Sequence, residues 1–493
     1  MGIIKQQTIK GTFFSYIGVF IGFVTNTFIL TKVLSADQVG LINILTSFSM
    51  IFAQFAILGF NATARYFPYF RNEKNKHNGY LFLACVVSLI GFILFVIGAY
   101  QFKELIISQK SQDNNLFRNY YWYLIPLTFA NLYFNVFDLY SRLLYDAAAG
   151  RLIREFTLKV LILLCVVLLL FRVLDFQSFM WLWLSVNLMP MVLMVIRLVR
   201  KGNFSLKPKL AFLNKDIRRN LISLCLFGIL TGASPLLVDN IDRYMVNSYF
   251  GLGDTGIYSI AASFGIIIAL PTRSLYSIAY TVIAESWIRK DMDNIQTVYR
   301  KSCINQSIVA LFLFIAVWAN IHNVLKILPP EYVHGVYVVF FIGLANLFDA
   351  FTGVNAVILA TSRYYRYDSF FYLALVGLTI GSNLLFIPKY GITGAAMASA
   401  LTMFVFNLSR CLFILLKFKL QPFTINNLLV IAVGALVYWG STLLPVQQNL
   451  YVDTLIRGGL ISLLYGGMVY VLKLSTDINE MISDVIARLK RSR

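Results

Sequence analysis

The sequence predicts an all-α integral membrane protein of about fourteen transmembrane helices, built as two pseudo-symmetric six-helix lobes plus two C-terminal helices. Three features predict it: an apolar, charge-poor composition, a succession of segments long enough to cross a bilayer, and an internal duplication.

Hydrophobic residues make up 59% of the 493 and charged residues 13%, against about 25% charged in soluble domains. A soluble chain of this length could not hide so much apolar surface, because part of any compact surface faces water. In lipid that constraint disappears. The start, MGIIKQQTIKG, is basic and runs into apolar sequence with no small-residue cleavage site, which reads as an uncleaved signal anchor. Cys85, Cys165, Cys225, Cys303 and Cys411 lie far apart inside apolar stretches, so neither a disulfide frame nor a zinc site is expected.

Crossing a hydrocarbon core of about 30 Å takes about 20 apolar residues. Segments of that kind occupy 11–33, 39–60, 79–101, 119–143, 155–173 and 179–199. A polar stretch, RKGNFSLKPKLAFLNKDIRRN, follows. Further segments occupy 221–250, 256–283, 303–325, 335–360, 369–387, 391–416, 425–444 and 455–473. The least apolar is 119–143, which carries Asn131, Asn135, Asp138 and Arg142.

Basic residues favour the cytoplasmic side. With the N-terminus inside, an even number of crossings returns the C-terminus inside as well. Most of the 42 Lys and Arg then fall in inner segments, among them Arg65 and Arg71, Arg151 to Lys159, Arg197 to Arg219, and Arg410 to Lys419. The net charge of +20 is thereby read as an orientation signal, with attraction to anionic headgroups, and nucleic acid is not an expected partner.

The duplication organises the chain. KVLSADQVGLINILTSF (32–48) matches SYFGLGDTGIYSIAASF (248–264), aligning Gly40 with Gly256 and Phe48 with Phe264. FANLYFNVF (129–137) matches LANLFDAFT (344–352), and GRLIR (150–154) matches SRYYR (362–366), in the same order and at nearly the same offset. The expected division is a first lobe at 1–199, a cytoplasmic linker at 200–220, a second lobe at 221–418, and two helices with a tail at 419–493. Six helices is an even number, so both copies enter the membrane from the same side, and substrate sites in such plans lie between repeats.

Catalytic signatures are missing. GLGDTG (251–256) formally fits a dinucleotide fingerprint, but no strand precedes it and it falls between two membrane segments, so it reads as a turn. GxxxxGK[ST] does not occur, and His77, His322 and His334 have no metal spacing. The rival class, a membrane-embedded glycan polymerase or ligase, would want catalytic groups on a large outer loop. The longest, about 102–117, offers Lys103, Glu104, Lys110 and Asp113 without a histidine, so an enzyme is not expected.

Polar residues inside membrane segments are expensive and normally face a cavity or each other. Asp239, Asp242 and Arg243 share one helical face, after Pro235, and an Asp239–Arg243 pair would leave Asp242 for substrate or a coupling cation. The bland alternative is an interfacial cluster at a helix end. The duplication sets Asn26 opposite Asp242. Asp138 and Arg142 read first as a structural i, i+4 pair. Asn346, Asp349 and Asn355 serve equally well as packing or cavity lining, and Arg65 suits snorkelling at the inner end of its helix.

Two stretches carry a family resemblance: DNIDRYMVNSYFGLGDTGIYSIAASF (239–264), and LLFIPKYGITGAAMASALTMFV (384–405) with its P-x-x-G-x-x-G-A-A pattern. The chain resembles the polysaccharide flippases (Wzx-like, moving O-antigen or other oligosaccharide repeat units) of the multidrug/oligosaccharidyl-lipid/polysaccharide exporter superfamily. That superfamily also holds the lipid II flippase and the multidrug or cation extruders, which are the alternative readings. The resemblance implies transport of an undecaprenyl-diphosphate-linked glycan from the cytoplasmic to the periplasmic leaflet of a bacterial inner membrane, as in lipopolysaccharide synthesis. It implies alternating access without ATP hydrolysis and without a bound cofactor, with coupling to a Na+ or H+ gradient. Expected partners are the lipid-linked glycan, the bilayer and polysaccharide assembly proteins, with the chain itself a monomer. Gly391, Gly394, Ala395 and Ala396 read as close helix packing rather than sugar binding. Arg273 stands about 25 Å along its helix at 1.5 Å per residue, inside the hydrocarbon span. There it could hold a diphosphate, snorkel, or pair with Asp349.

Overall fold

The computed structural model describes residues 14–107, 115–208 and 214–491. The signal-anchor start, Lys110 and Asp113 of the outer loop, and part of the linker lie outside the described residues, as do the side chains of Pro235, Asp239 and Arg273. Among the described residues every element is helical.

Helix α1 (Phe14–Val33) contains a π-helical turn at Thr25–Ile29. Helix α2 (Ala36–Ala56) starts where Ser35 and Gln38 form a capping box, a few residues before the sequence expectation, and its end passes into a tight turn at Phe60–Tyr66. Then come α3 (Tyr80–Gln101), α4 (Leu124–Leu143), α5 (Leu158–Leu170) and α6 (Phe176–Arg200), the last capped by Asp175. Two segments lead without a break into α5: Ala147–Arg151 and the π-helical Leu152–Thr157. Helices α7 (Lys215–Phe250) and α8 (Leu252–Arg289) are separated by Gly251 alone, so only the first residue of GLGDTG is a turn and the rest opens α8.

Helix α9 (Met292–Leu325) is followed by α10 (Val336–Phe351), which ends earlier than expected. A turn at 352–354 separates it from a short helix, Asn355–Thr361. The 54 residues Tyr365–Phe418 form α11 (365–390) and α12 (392–418), meeting at Gly391 with φ 61 and ψ −142. Only glycine takes that backbone without strain. At 1.5 Å per residue the pair measures about 80 Å, enough to cross a core of about 30 Å twice. Helices α13 (Ile425–Thr442), α14 (Leu450–Val471) and α15 (Thr476–Arg491) complete the chain.

Among the described residues, ten helices are long and apolar enough to span a membrane, α11 and α12 being counted together. Helices α4, α5 and α7 fall outside that criterion for local reasons. Polar residues stand inside α4 and α7, and the π-helical segment divides α5. Arg154, which the sequence placed in an inner loop just before the segment 155–173, stands inside the π-helical stretch, because helix continues through the polar flank of that apolar run. Lys159 and Arg410, assigned to the inner side, lie within α5 and α12 as the segments 155–173 and 391–416 imply.

By packing, the chain forms two compact units, Met1–Ser259 and Ile260–Arg493. In the first, Ala53, Phe60, Phe67, Tyr80, Phe134, Tyr140 and Met194 build a continuous core. The starts of α2 and α8 approach backbone to backbone. A Cβ on Gly40 would lie 1.9 Å from the Leu252 carbonyl oxygen, and one on Gly256 2.2 Å from that of Ala36. These are the two glycines that the internal match aligns.

In the second unit, Ile268, Leu311, Leu347, Val433 and Tyr465 form the core that joins α9 and α10 to α13 and α14. Asp453 fastens α14 to α9 and, through Arg457, to the end of α13. It accepts from Asn323 Nδ2 at 2.5 Å and from Arg457 Nε at 3.3 Å, while Arg457 Nη1 donates to the Ser441 carbonyl.

Candidate functional site

The polar face of α4 is the starting point. Asn131, Asn135, Asp138 and Arg142 follow at steps of four, three and four, so they line one stripe of the helix. Burying such a stripe requires polar partners. The chain supplies them from the π-helical stretch before α5, where Arg154 Nη1 donates to Asn135 Oδ1 at 2.9 Å and Nη2 to Asn131 Oδ1 at 3.2 Å. Asn131 passes the network on, donating to Ser49 Oγ of α2 at 3.1 Å and to the Leu127 carbonyl at 3.1 Å. The Phe134 ring lies 5.2 Å from the guanidinium, a cation–π contact.

Arg154 borders a small cavity of ≈ 30 Å³, walled by Thr46, Ser49, Asn131, Phe134, Asn187 and Pro190. That volume holds about one water. Lys159 follows on α5, half-buried, with its aliphatic stem against Gly22 of α1. Among the described residues, neither Arg154 nor Lys159 makes an ion pair. Arg154 and Lys159 therefore stand half-buried in the first unit without an ion pair, Arg154 bonded to two neutral amides with the carboxylates of Asp138 and Glu155 near enough to act on its charge. Such a pair is suited to an anion, above all to phosphate oxygens, which a guanidinium binds through paired hydrogen bonds.

Asp138 is paired with Arg142 at 3.2 Å on the same helix. Outside the spans, Asp146 accepts from Arg197 Nε and from Lys201 Nζ, each at 2.7 Å. Burial opposes ionisation of Asp146, but these two cations outweigh it and hold its carboxyl below the ordinary carboxylate value.

A second polar cluster lies in the other unit. Arg410 is 2% exposed and donates to Asp368 Oδ1 at 2.5 Å, with the Phe406 ring 4.0 Å and the Tyr372 ring 4.8 Å from its guanidinium. Nearby on α12, Asn407 Oδ1 accepts from Thr352 at 3.1 Å and from Asn355 at 3.0 Å. Asn407 also borders an apolar cavity of ≈ 520 Å³ between α10, α12 and α13, lined chiefly by Phe348, Phe351, Phe404, Leu408, Leu428 and Ile431.

The residues picked out from sequence are distributed as follows. Asn26 is half-buried in the π-helical turn of α1, and Arg65 is exposed beyond the end of α2. Asp242, 6% exposed, accepts from the Tyr258 hydroxyl at 3.0 Å, and Arg243 donates to Asn240 at 3.2 Å. Asn346 turns back to the Ile342 carbonyl at 2.8 Å, and Asp349 lies beside Tyr276. Asp239 and Arg273 fall on side chains outside the described residues. Thus Asp138 and Arg142 come together, while Asp242 and Arg243 each turn to a different neighbour. Arg154, Lys159, Arg410 and Asp368 were missed. The asparagines of α4 were the available signal for Arg154, since two buried amides one turn apart need a donor from a neighbouring helix.

Among the described residues, no group of three or more His, Cys, Asp or Glu could hold a metal ion. No family model matches the chain, and no curated protein matches its sequence. Solved structures do match. The chain is similar to a lipid II flippase, MurJ, in an inward closed conformation, with TM-score 0.73 and 13% identity over 95% of this chain and 100% of that one. It is also similar to an inward-facing multidrug resistance MATE transporter of the MOP superfamily, with TM-score 0.65 and 12% identity over 81% of this chain and 94% of that one. A MOP superfamily transporter from Pyrococcus furiosus gives 0.57 and 11%, over 85% and 95%. At these identities the likeness is one of fold. This chain is a multi-pass, all-helical membrane protein with the architecture shared by MOP-superfamily flippases and transporters.

Proposed function

We propose that the chain flips an undecaprenyl-diphosphate-linked oligosaccharide from the cytoplasmic to the periplasmic leaflet of a bacterial inner membrane by alternating access. The observation that carries this reading is Arg154, a guanidinium inside the membrane fold whose hydrogen bonds go to two neutral amides. A diphosphate would supply a directly bonded anion, which the nearby Asp138 and Glu155 do not provide, and Lys159 follows five residues on to assist. The apolar cavity beside Asn407 supports a lipid-linked cargo, since a polyprenyl chain needs an apolar surface through which to pass. The reciprocal approach of Gly40 and Gly256, the aligned pair of the internal match, supports a duplicated plan with 200–220 as its linker.

Asp242, Arg243, Asn26, Asp349, Asn346, Arg65, Asp138 and Arg142 remain proposed cavity residues, as do Asp239 and Arg273. Asp242 is the candidate for coupling to a Na+ or H+ gradient. The fold likeness to MurJ favours lipid II flipping as the second reading. Both cargoes would present the same polyprenyl diphosphate to Arg154, and they differ in the headgroup that it carries.

Deleting the gene tests the choice. Loss of a surface polysaccharide, with its lipid-linked precursor accumulating on the cytoplasmic side, is expected. Arrested peptidoglycan synthesis with an intact surface glycan would move the assignment to lipid II. An intact surface glycan with raised dye sensitivity would point to an extruder.

A further inference from the structure

Helix α15 begins directly after α14 leaves its span, and its start is bound to the second unit. Lys301 Nζ donates to Asp477 Oδ1 at 2.8 Å, Asn305 Nδ2 donates to Asp477 Oδ2 at 2.9 Å, and Ser475 Oγ donates to Asn305 Oδ1 at 2.5 Å. One turn on, Asn479 Nδ2 reaches back to the Tyr470 carbonyl at 2.8 Å. These bonds hold the first turns of α15 where α14 ends, beside the residues of α9 at which its apolar run 303–325 begins, the level at which both spans should meet the bilayer surface.

The sequence of this helix is amphipathic. Ile478, Met481, Ile482, Val485, Ile486 and Leu489 recur at steps of three and four, giving one apolar stripe. At about 100° per residue, Arg488 falls on one border of that stripe and Lys490 on the other, while Glu480 and Arg491 fall opposite. Ile478 packs on the core of the unit, whereas Met481, the next residue of the stripe, is 68% exposed. Among the described side chains the stripe thus passes from the core at Ile478 to the half-buried Ile482 and the exposed Met481. An apolar face flanked by long basic side chains, fixed at the end of a membrane span, matches the boundary between headgroups and acyl chains, where the cations can reach phosphates while the stripe is buried.

We propose that α15 lies in the membrane surface, with its stripe in that boundary and Arg488 and Lys490 on anionic headgroups. The helix is then a lipid-binding element of the second unit, independent of the transport cargo. Its ligand is the anionic lipid of the surrounding bilayer, and the Asp477 clasp fixes which way the stripe faces.

The test uses the full chain with Met481→Cys or Glu480→Cys, labelled with an environment-sensitive fluorophore. The parent, labelled in parallel, serves as the blank for the native cysteines. Each is reconstituted into phosphatidylcholine vesicles with or without phosphatidylglycerol. The expected result is a blue-shifted Met481 label that spin-labelled lipid quenches, a Glu480 label in a polar setting, and a larger Met481 shift when phosphatidylglycerol is present. Arg488→Gln with Lys490→Gln should abolish the phosphatidylglycerol-dependent part. Equal polarity at the two positions would overturn the proposal. So would a Met481 shift that appears in detergent and grows with protein concentration, which means that a second copy covers the stripe. A shift indifferent to phosphatidylglycerol would overturn the headgroup contact.

Discussion

Two arginines stand inside helical segments of the two units, and the fold satisfies them in opposite ways. Arg410 is sealed, with Asp368 as counter-ion and two aromatic rings over its guanidinium. Arg154 has its hydrogen bonds made by amide oxygens, beside a small cavity and without an ion pair among the described residues. Taking a charge out of water costs several kcal/mol unless an opposite charge compensates. Arg410 finds that compensation within the chain and so belongs to the architecture. Arg154 lacks it in direct contact, and an anionic cargo would complete it. The contrast separates a stabilising cation from a binding one, although composition and burial alone would rank both together.

The largest effect should come from breaking the sealed pair. Arg410→Ala leaves the largely enclosed Asp368 without its counter-ion, and a loss of about 3–5 kcal/mol is expected. It should appear as reduced membrane abundance and a lower melting temperature in detergent. Replacing both partners, Arg410→Met with Asp368→Leu, should recover most of that stability. An Arg410→Ala protein as stable as the parent would erase the contrast from one side.

Arg154→Gln sharpens it from the other. Its partners are neutral amides that can re-pair with glutamine, so folding should change by about 1 kcal/mol or less, while transport is lost. A stability loss as large as that of Arg410→Ala would make Arg154 structural too.

The smallest effect belongs to a third ionic cluster, the exposed clamp at Asp146. Its carboxyl titrates below the ordinary 3.8, so its contribution is present above that value and disappears as pH falls through the depressed one. Arg197 and Lys201 are 39% and 46% exposed, so the clamp is worth about 1 kcal/mol at most. The melting-temperature gap between parent and Asp146→Asn should be open at neutral pH and close as the pH falls through the depressed value of that carboxyl, below its ordinary one. A gap that does not change with pH would show that the clamp is not ionic.

The fold was largely legible in the sequence because membrane crossing depends on run length, which apolar segments display directly. Even Gly391 was visible, as the first glycine of the P-x-x-G pattern that opens α12, where it also makes the bend between the two long arms. The site was legible only in part. Asn131 and Asn135 marked α4 as unusual, and Asp138 with Arg142 formed the pair that their spacing implies. Arg154 escaped because the apolar run of α5 begins just after it, and a loop was the economical reading. The π-helical stretch that carries helix across Leu152–Thr157 leaves no signature in residue type. Arg410 lay within the expected segment 391–416 but was counted only as an inner-side charge, because its partner Asp368 is 42 residues away in sequence.

The most direct measurement is the flipping rate of an undecaprenyl-diphosphate-linked oligosaccharide in proteoliposomes containing the purified parent, Arg154→Lys or Arg154→Gln at matched protein content. The parent should translocate the lipid, Lys should retain part of the rate as a point charge without the paired geometry, and Gln should fall to the protein-free background. Added inorganic diphosphate should slow the parent. A Gln variant that flips at the parental rate would contradict the assignment of Arg154 as the diphosphate contact.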